Sequence, residues 1–482
     1  GKAVLTGDSQ SGGLLPLDSF GFDWGWKRSG SSSDWRDVMI SQSIGEKISL
    51  IQEAGNNIWR ESEAAVKFLD NFNLEQKLSS KKIYIGPKNS NKLSWHPHVL
   101  WVGIGCERFT NISFLEESLL NSLREFGLEK SSIAGIASID IKNNEDAILE
   151  LSIRNKWPIR FFDSLELSSV KVPNPSAFVN REVGTPSVSE ASALLAAGQG
   201  AKLLAPKRIY KSGAQQIGSV TIAIAQSQFP FAPNKGELHL VGSGPGDLSF
   251  LTTDARFALA RSTTWLGYSR YLDLLEPLRR KTQVRIDSQL TFELERCKEA
   301  LNLASQGVKV ALISSGDSGI YGMAGLALEM LLELPKLERP TFHIHPGLSA
   351  IQLAAARIGS PLMNDFCVIS LSDRLTSWTK IEERLKGAAI GDFVVGIYNP
   401  RSEERDWQLK KAIEILRDYR SANTPVALAR QIGRSEEDIQ LFSISDFPID
   451  SVDMLTLVIV GNSLSHLKDK WFLNPRGYLL NE

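Results

Sequence analysis

The sequence predicts an α/β protein in two parts, a smaller leading α/β domain and a larger one built around a cleft. Three observations carry that prediction. Short apolar runs alternate with helical patterns from Val99 to Gln226, and again from Glu237 to about Ser463. The stretch QFPFAPNKG (228–236), with two prolines and no periodicity, parts the two series as a linker. Several runs of the second series are apolar throughout, as strands covered on both faces require.

At 482 residues the chain exceeds one hydrophobic core, so two or three domains are expected. A formal net charge of -1 gives no global field toward nucleic acid or an acidic membrane, and neither partner is expected. The sequence holds no apolar run of bilayer length and no basic-then-apolar signal at its start. Cys106, Cys297 and Cys367 form no CxxC pair, which reads against zinc ribbons, iron–sulfur clusters and disulfides and fits a reducing, cytoplasmic compartment. Position 1 is Gly and a strand-like AVLTG follows, so the sequence reads as a fragment or a processed chain.

Residues 1–95 are uneven and read as a small or incomplete domain. They hold a Gly/Ser-rich start (Ser9 to Gly13), an aromatic cluster (Phe20, Phe22, Trp24, Trp26) and a serine run (Ser29 to Ser33). The pattern from Ile44 to Ala54 predicts a short helix closing at Gly55, and a polar stretch from Pro87 to Lys92 follows. In the next part VLWVGIG, IAGIASIDI, PIRFF and VTIAIAQ read as strands, with helices over 113–126, AILELSIRN and EASALLAAG. Beyond the linker the predicted strands are ELHLVG, VKVALIS, TFHIH, FCVISLS, DFVVGIYN, PVALARQI and MLTLVIVGN. Helices are predicted at 252–261, 291–305 (with Leu294, Cys297, Leu301 and Ala304 on one face) and 326–334.

Five of these strands end in loops rich in glycine or proline: GSGPGD (242–247), SSGDSGIYGMA (314–324), HPGLSA (345–350), YNPRS (398–402) and ARQIGRSEE (429–437). Ligands of open α/β sheets bind where such loops converge, and glycine lets backbone groups do the binding. A dinucleotide reading of GSGPGD fails on Pro245, which sits where a helix would start, and on Asp247, which would oppose a pyrophosphate.

From Glu237 onward the sequence resembles the tetrapyrrole methylase family, specifically its precorrin-3B C-17 methyltransferase branch. The resemblance rests on Gly242-Ser243-Gly244-Pro245-Gly246-Asp247, on Gly316-Asp317-Ser318-Gly319-Ile320-Tyr321-Gly322-Met323-Ala324 with serine in the usual proline position, and on HPGLSA, SLSDRLTSW (370–378), YNPRS, ARQIGR and VIVGNS (458–463). It implies the tetrapyrrole methylase fold, with two α/β subdomains at about 237–363 and 364–482, a cleft between them, and a homodimer. It implies S-adenosyl-L-methionine as cofactor, held by Gly316, Asp317, Ile320, Ser349, Ala350, Tyr398 and Arg430. The tetrapyrrole would lie on the side of Gly244, Pro245 and Gly246. Arginines beside the cleft loops suit its carboxylate arms; Arg374, Arg401 and Arg434 are the candidates, with Arg405 and Arg430 nearby. Methylation and ring contraction need alignment and proton transfer, for which Asp247 and Asp373 are the candidate carboxylates, each also suited to capping a helix. The pairs His343/His345 and His96/His98 sit at strand spacing without a third ligand, and no metal site is expected.

Residues 96–227 resemble the C-terminal domain of cobalt-precorrin-5A hydrolase, on Gly103-Ile104-Gly105-Cys106-Glu107-Arg108, on Ile136 to Lys142, on VPNPS (172–176) and on VGTPSVSEA (183–191). Residues 1–60 look like the end of that enzyme's preceding region; its first domain is missing here. The resemblance implies either lactone opening with release of acetaldehyde or a corrinoid-docking role, with Arg108, Lys142, Glu190 and Lys207 as candidate substrate binders. The alternative is an rRNA or diphthamide methyltransferase of the same fold with a non-enzymatic leading module. The near-neutral charge and the SLSD and YNPRS segments speak against it.

Overall fold

A computed structural model describes residues 14–72, 81–89, 92–211, 218–289, 291–402 and 405–478. The predicted AVLTG strand and the Gly/Ser-rich start lie outside the described residues.

Four strands open the chain: β1 Lys27–Ser29, β2 Ile48–Gln52, β3 Lys81–Ile85 and β4 Ser94–His96, in the order β1-β4-β3-β2. The predicted helix over Ile44–Ala54 is therefore wrong. ISLIQ pairs in parallel with KKIYI, and the helix lies earlier, at Ser32–Ser43, inside the serine run. Ser31 starts that helix by accepting a hydrogen bond from the Asp34 N–H at 3.1 Å, so the serine run supplies the helix cap. Of the aromatic cluster, Phe20, Trp24 and Trp26 are core, buried with Trp35, Trp59 and Trp95, whereas Phe22 is half exposed.

A second sheet has the order β7-β6-β5-β9-β8, from β5 Leu100–Cys106, β6 Ile133–Ile139, β7 Ile159–Phe162, β8 Lys202–Lys211 and β9 Ser219–Gln226. β5, β6 and β7 are parallel; β9 and β8 are antiparallel additions. The helix Val188–Ala197 packs so closely on β5 that a Cβ at Gly103 would stand 1.8 Å from the Ser189 carbonyl oxygen.

The third sheet is wholly parallel, β12-β11-β13-β10-β14, from β10 Glu237–Gly242, β11 Thr264–Tyr268, β12 Val284–Ser288, β13 Lys309–Ser314 and β14 Thr341–His345. Its helix Glu293–Ser305 buries Cys297, Ala300, Leu301 and Ala304, but Leu294 stays 44% exposed; at that first turn the Arg296 stem takes the buried position. Residues 14–96 share one apolar core with this sheet, Leu17, Trp26 and Trp59 packing with Leu238, Leu240 and Ala304. Asn56 seals the joint by donating to the Gln306 side chain at 2.9 Å.

After a short β15 (Gly359–Ser360), the fourth sheet runs β16-β17-β20-β18-β19, from β16 Phe366–Ser370, β17 Val394–Tyr398, β18 Pro425–Arg430, β19 Asp438–Ser443 and β20 Thr456–Val460. β20 is antiparallel to both β17 and β18, so β16, β17 and β18 all point one way. The hairpin β21 His466–Lys468 and β22 Trp471–Leu473 pairs with β15.

Candidate active site

β13, β10 and β14 are parallel neighbours, so the loops that leave them lie side by side. Gly244 and Gly316 exchange backbone hydrogen bonds at 3.1 and 2.8 Å, both in the left-handed region (φ +74° and +63°). A Cβ on Gly347 would stand 2.0 Å from the Gly316 carbonyl oxygen, so a side chain there would force the loops apart. Asp317 binds the cluster: its Oδ1 accepts from the Gly319 N–H at 2.8 Å and its Oδ2 from the Gly347 N–H at 3.0 Å. On the other side Gly316 faces open space, the nearest atom to an added Cβ being the Ser349 Cα at 3.9 Å. The buried hydroxyls of Ser314 and Ser318 have no protein partner. A cradle of free backbone with unsatisfied polar groups is a fitting place for a small polar ligand.

The fourth sheet supplies the facing loops. The Tyr398 hydroxyl accepts from the Ile351 N–H at 3.0 Å, in the first turn of helix Ala350–Ile358, whose N-cap is Ser349. Burial raises the Tyr398 pKa, so this group is a phenol at neutral pH. Its ring lies 5.5 Å from that of Tyr321, whose hydroxyl donates to the Val368 carbonyl at 3.0 Å. Tyr321, Asn399 and Gln431 adopt φ of 52°, 49° and 49°, left-handed backbone that side chains rarely take; three such residues sit at the meeting of the two sheets. A second stitch joins Asp247 N–H to the Gly433 carbonyl at 2.7 Å, and Arg434 Nε to the Pro245 carbonyl at 3.4 Å.

The structure thus gathers Gly244, Pro245, Gly246, Gly316, Asp317, Ser349, Ala350 and Tyr398 about one junction. Gly244, Pro245 and Gly246 are buried, whereas Ile320 is exposed beside Tyr321. Asp247 is exposed, and its Oδ1 accepts from the Ser249 N–H at 2.7 Å; hydrogen bonding at Ser249 holds the carboxyl below its ordinary range. Asp373 Oδ2 accepts from the Gln408 amide at 3.0 Å. Arg430 is paired with Asp453 at 2.7 Å, and Arg401 donates to the Asp450 carbonyl at 3.0 Å. Arg374 is exposed on the loop after β16, and Arg405, which is buried, donates to the Asn399 carbonyl at 3.3 Å. Sequence reasoning missed Gln408 and Asp453, the partners of Asp373 and Arg430; both lie far along the chain from them, with no local motif.

Two histidines of the third sheet, His239 and His345, are hydrogen-bonded to each other. His239 on β10, unremarked in the sequence, stacks on His343 with centroids 5.1 Å apart and joins Glu237 (3.0 Å) to His345 (2.9 Å), which meets Asp254 at 2.8 Å. Burial pushes the His239 pKa down to about 4. Among the described residues no group of three or more His, Cys, Asp or Glu is arranged to hold a metal ion.

In the second sheet's domain the candidate binders hold one another. The fully buried Glu190 accepts from the Asn174 N–H (3.1 Å), the Asn174 amide (2.8 Å) and the Lys207 N–H (2.9 Å), tying VPNPS to β8. Lys207 Nζ donates to the Asn174 carbonyl at 2.6 Å. Arg108 bridges to Asn144 and the Ile141 carbonyl, and Lys142 lies 3.6 Å from Glu145. Burial pushes the Cys106 thiol up to about 11, which removes thiolate nucleophilicity.

Glycine loops converging from the carboxyl ends of two α/β sheets define an enzyme-like ligand cleft. Residues 237–448 match the family described as Tetrapyrrole (Corrin/Porphyrin) Methylases, and residues 100–225 match Cobalamin synthesis G C-terminus. A probable cobalt-factor III C(17)-methyltransferase of Salmonella typhimurium is 44% identical over 243 residues, half of this chain and 100% of that protein. A cobalt-factor III methyltransferase of Priestia megaterium is 42% identical over 246 residues, 51% of this chain but only 45% of that protein. The crystal structure of the methyltransferase CobJ aligns at 34% identity over 50% of this chain and 100% of that one, with a TM-score of 0.48. The chain belongs to the tetrapyrrole methylase family, with a cobalamin-synthesis-G-type domain before its methylase domain. No helix among the described residues is long and apolar enough to cross a membrane.

Proposed function

We propose that this protein transfers a methyl group from S-adenosylmethionine to ring carbon 17 of cobalt-factor III or precorrin-3B in cobalamin biosynthesis, with contraction of the macrocycle. The observation that carries the reading is the Asp317 clamp: one carboxylate fixes the Gly319 and Gly347 amides and leaves an open backbone cradle over Gly316. The cofactor would be held by Gly316, Asp317, Ile320, Ser349, Ala350 and Tyr398, and it supplies an electrophilic methyl when bound. The chain's own work is alignment. The Tyr398 hydroxyl fixes the helix start at Ile351, and the bond from the Asp247 N–H to the Gly433 carbonyl sets the spacing of the two loop sets. Arg374, Arg401 and Arg434 would meet the macrocycle's carboxylates, while Arg430 first has to leave Asp453.

Contraction requires proton movement at the substrate. Asp247, ionised and solvent-facing, is the first candidate for proton acceptance, although its bonds at Ser249 weaken it as a base; Asp373 with its Gln408 partner is the second. Incubation with methyl-labelled cofactor and either macrocycle tests the reading by product mass and absorption spectrum; absence of label in the tetrapyrrole would overturn it. In the same assay, Asp247→Asn and Asp373→Asn separate the roles, since loss of contraction with methylation retained marks the proton-transfer group.

For the leading half we propose a corrinoid-docking role or lactone opening. Arg108, Lys142, Glu190 and Lys207 are already engaged within the protein, so either role requires them to exchange these partners. Acetaldehyde release from a lactone-bearing corrinoid would decide for hydrolysis. A cytoplasmic homodimer is the expected setting, and β14, an edge strand exposing Ile344, offers a surface for pairing.

A further inference from the structure

Three segments from different parts of the chain meet at a half-open cavity of about 440 Å³ away from the methylase loops. One wall comes from Lys27 of β1 and His98, two residues past β4; another from the turns around Glu129 and Lys156; the third from the linker, Phe231 to Lys235. Its volume is that of a small-molecule site.

The lining is unusual in charge. Four lysines face one carboxylate, Glu129, whose Oε1 already accepts from the Ser131 N–H and hydroxyl at 3.2 and 3.3 Å. Lys130 pairs with Glu116 at 3.3 Å, but Lys27, Lys156 and Lys235 have no carboxylate within ion-pair distance among the described residues. Uncompensated like charges at one cavity repel unless an anion joins them. Lys156 is also held in left-handed backbone (φ 54°), a cost tolerated where it turns the chain into the cavity wall.

The third feature is His98. Its Nδ1 is buried without a hydrogen-bond partner, and burial together with Lys235 and Lys27 pushes its pKa down to about 4. The enclosed Nδ1 leaves the imidazole neutral, and its ring forms part of the cavity wall beside Lys27 and Lys235. The remaining lining is mainly apolar, from Trp157, Pro158 and Phe231, with the Lys130 ammonium 5.7 Å from the Trp157 ring centroid.

We propose that this cavity binds a small, flat organic anion carrying two or more acidic groups, its body against Trp157 and Phe231, its acidic groups among Lys27, Lys156 and Lys235, with His98 in the adjoining wall as a reporter of occupancy. Binding would draw linker, leading sheet and second domain onto one ligand, so occupancy would stabilise the arrangement of the halves.

The test uses the full chain with ring-15N-labelled histidine. The sequence has six histidines, so the ring spectrum is tractable, and His98→Gln assigns the His98 signal by its loss. Naphthalene-1,5-disulfonate is the probe, with neutral 1-naphthalenemethanol and inorganic pyrophosphate as the body-only and charge-only arms. The expected result is a saturable shift of the His98 signal by the disulfonate alone, weakened at least tenfold in Lys156→Glu/Lys235→Glu, which melts like the parent protein. The absence of a saturable shift overturns the proposal. So does an equal shift in the double variant, or equal binding by the alcohol or by pyrophosphate.

Discussion

Arg160 on β7 grips both carboxylate oxygens of Glu338, Nε to Oε1 at 2.8 Å and Nη2 to Oε2 at 2.9 Å, across 178 residues of sequence. The same guanidinium donates to the Ala196 carbonyl at 2.9 Å and stands 4.4 and 4.7 Å from the ring centroids of Trp101 and Phe231. One side chain therefore joins the second sheet, the linker and the turn before β14. Bidentate geometry and partial burial set this pair apart from exposed ion pairs. Arg160→Ala leaves the Glu338 carboxylate short of partners and should cost about 2–3 kcal/mol in denaturant unfolding, against about 1 for Glu338→Gln. Proteolysis within 228–236 should accelerate in both variants; unchanged cleavage and stability would mean the halves are held elsewhere.

Asp317→Asn replaces an acceptor of two backbone N–H groups with an amide that has one acceptor oxygen. Either Gly319 or Gly347 then loses its partner and the loops move apart. A charge-assisted hydrogen bond is worth about 1.5–3 kcal/mol, so S-adenosylhomocysteine affinity by calorimetry should fall about tenfold or more with the fold retained. Affinity within twofold of the parent would remove Asp317 from the site.

Tyr398→Phe deletes the acceptor of the Ile351 N–H, one of the unpaired donors of that helix start. The expected loss is about 1 kcal/mol, or roughly fivefold in cofactor affinity, with little change in the affinity for the macrocycle. An equal loss for both ligands would make Tyr398 a general packing residue.

Much of this was legible in the sequence, for a physical reason. Strands buried on both faces, such as VKVALIS, announce themselves as apolar runs, and the loops that follow them carry glycines because only glycine fits between Gly242, Gly316 and Gly347. Of the edge strands, β7, β14 and β16 were legible as PIRFF, TFHIH and FCVISLS, whereas β8, β12 and β19 were not. β8 carries Pro206 and four basic residues and shifts register at Leu203 and Ala205, and β19 is charged at its start, so neither shows a clean strand period. ISLIQ failed for the opposite reason: five residues of mixed apolarity fit either period, and the parallel partner KKIYI that decides the matter lies beyond Gly55. In the site, backbone cradles were visible but the partners of the charged residues were not. Nothing near Arg430 or Asp373 in sequence foretells Asp453 or Gln408.

His98 makes the fold acid-sensitive. Its pKa falls from an ordinary 6.5 to about 4 in the native protein, chiefly through burial and then through Lys235 and Lys27. Between those values the unfolded chain binds a proton that the folded chain refuses, so stability is full above pH 6.5 and is lost as the pH falls toward 4. A single such group can account for up to about 3 kcal/mol. The melting temperature should therefore drop between pH 7 and pH 4.5, and His98→Gln, which cannot titrate, should flatten that slope while lowering stability little at pH 7. His239, also near 4, titrates in the same window but sits in a bonded chain with Glu237 and His345, so part of the slope will persist in the variant. A variant whose acid slope matches the parent's would show that His98 is already protonated, or relieved by water, in the native state.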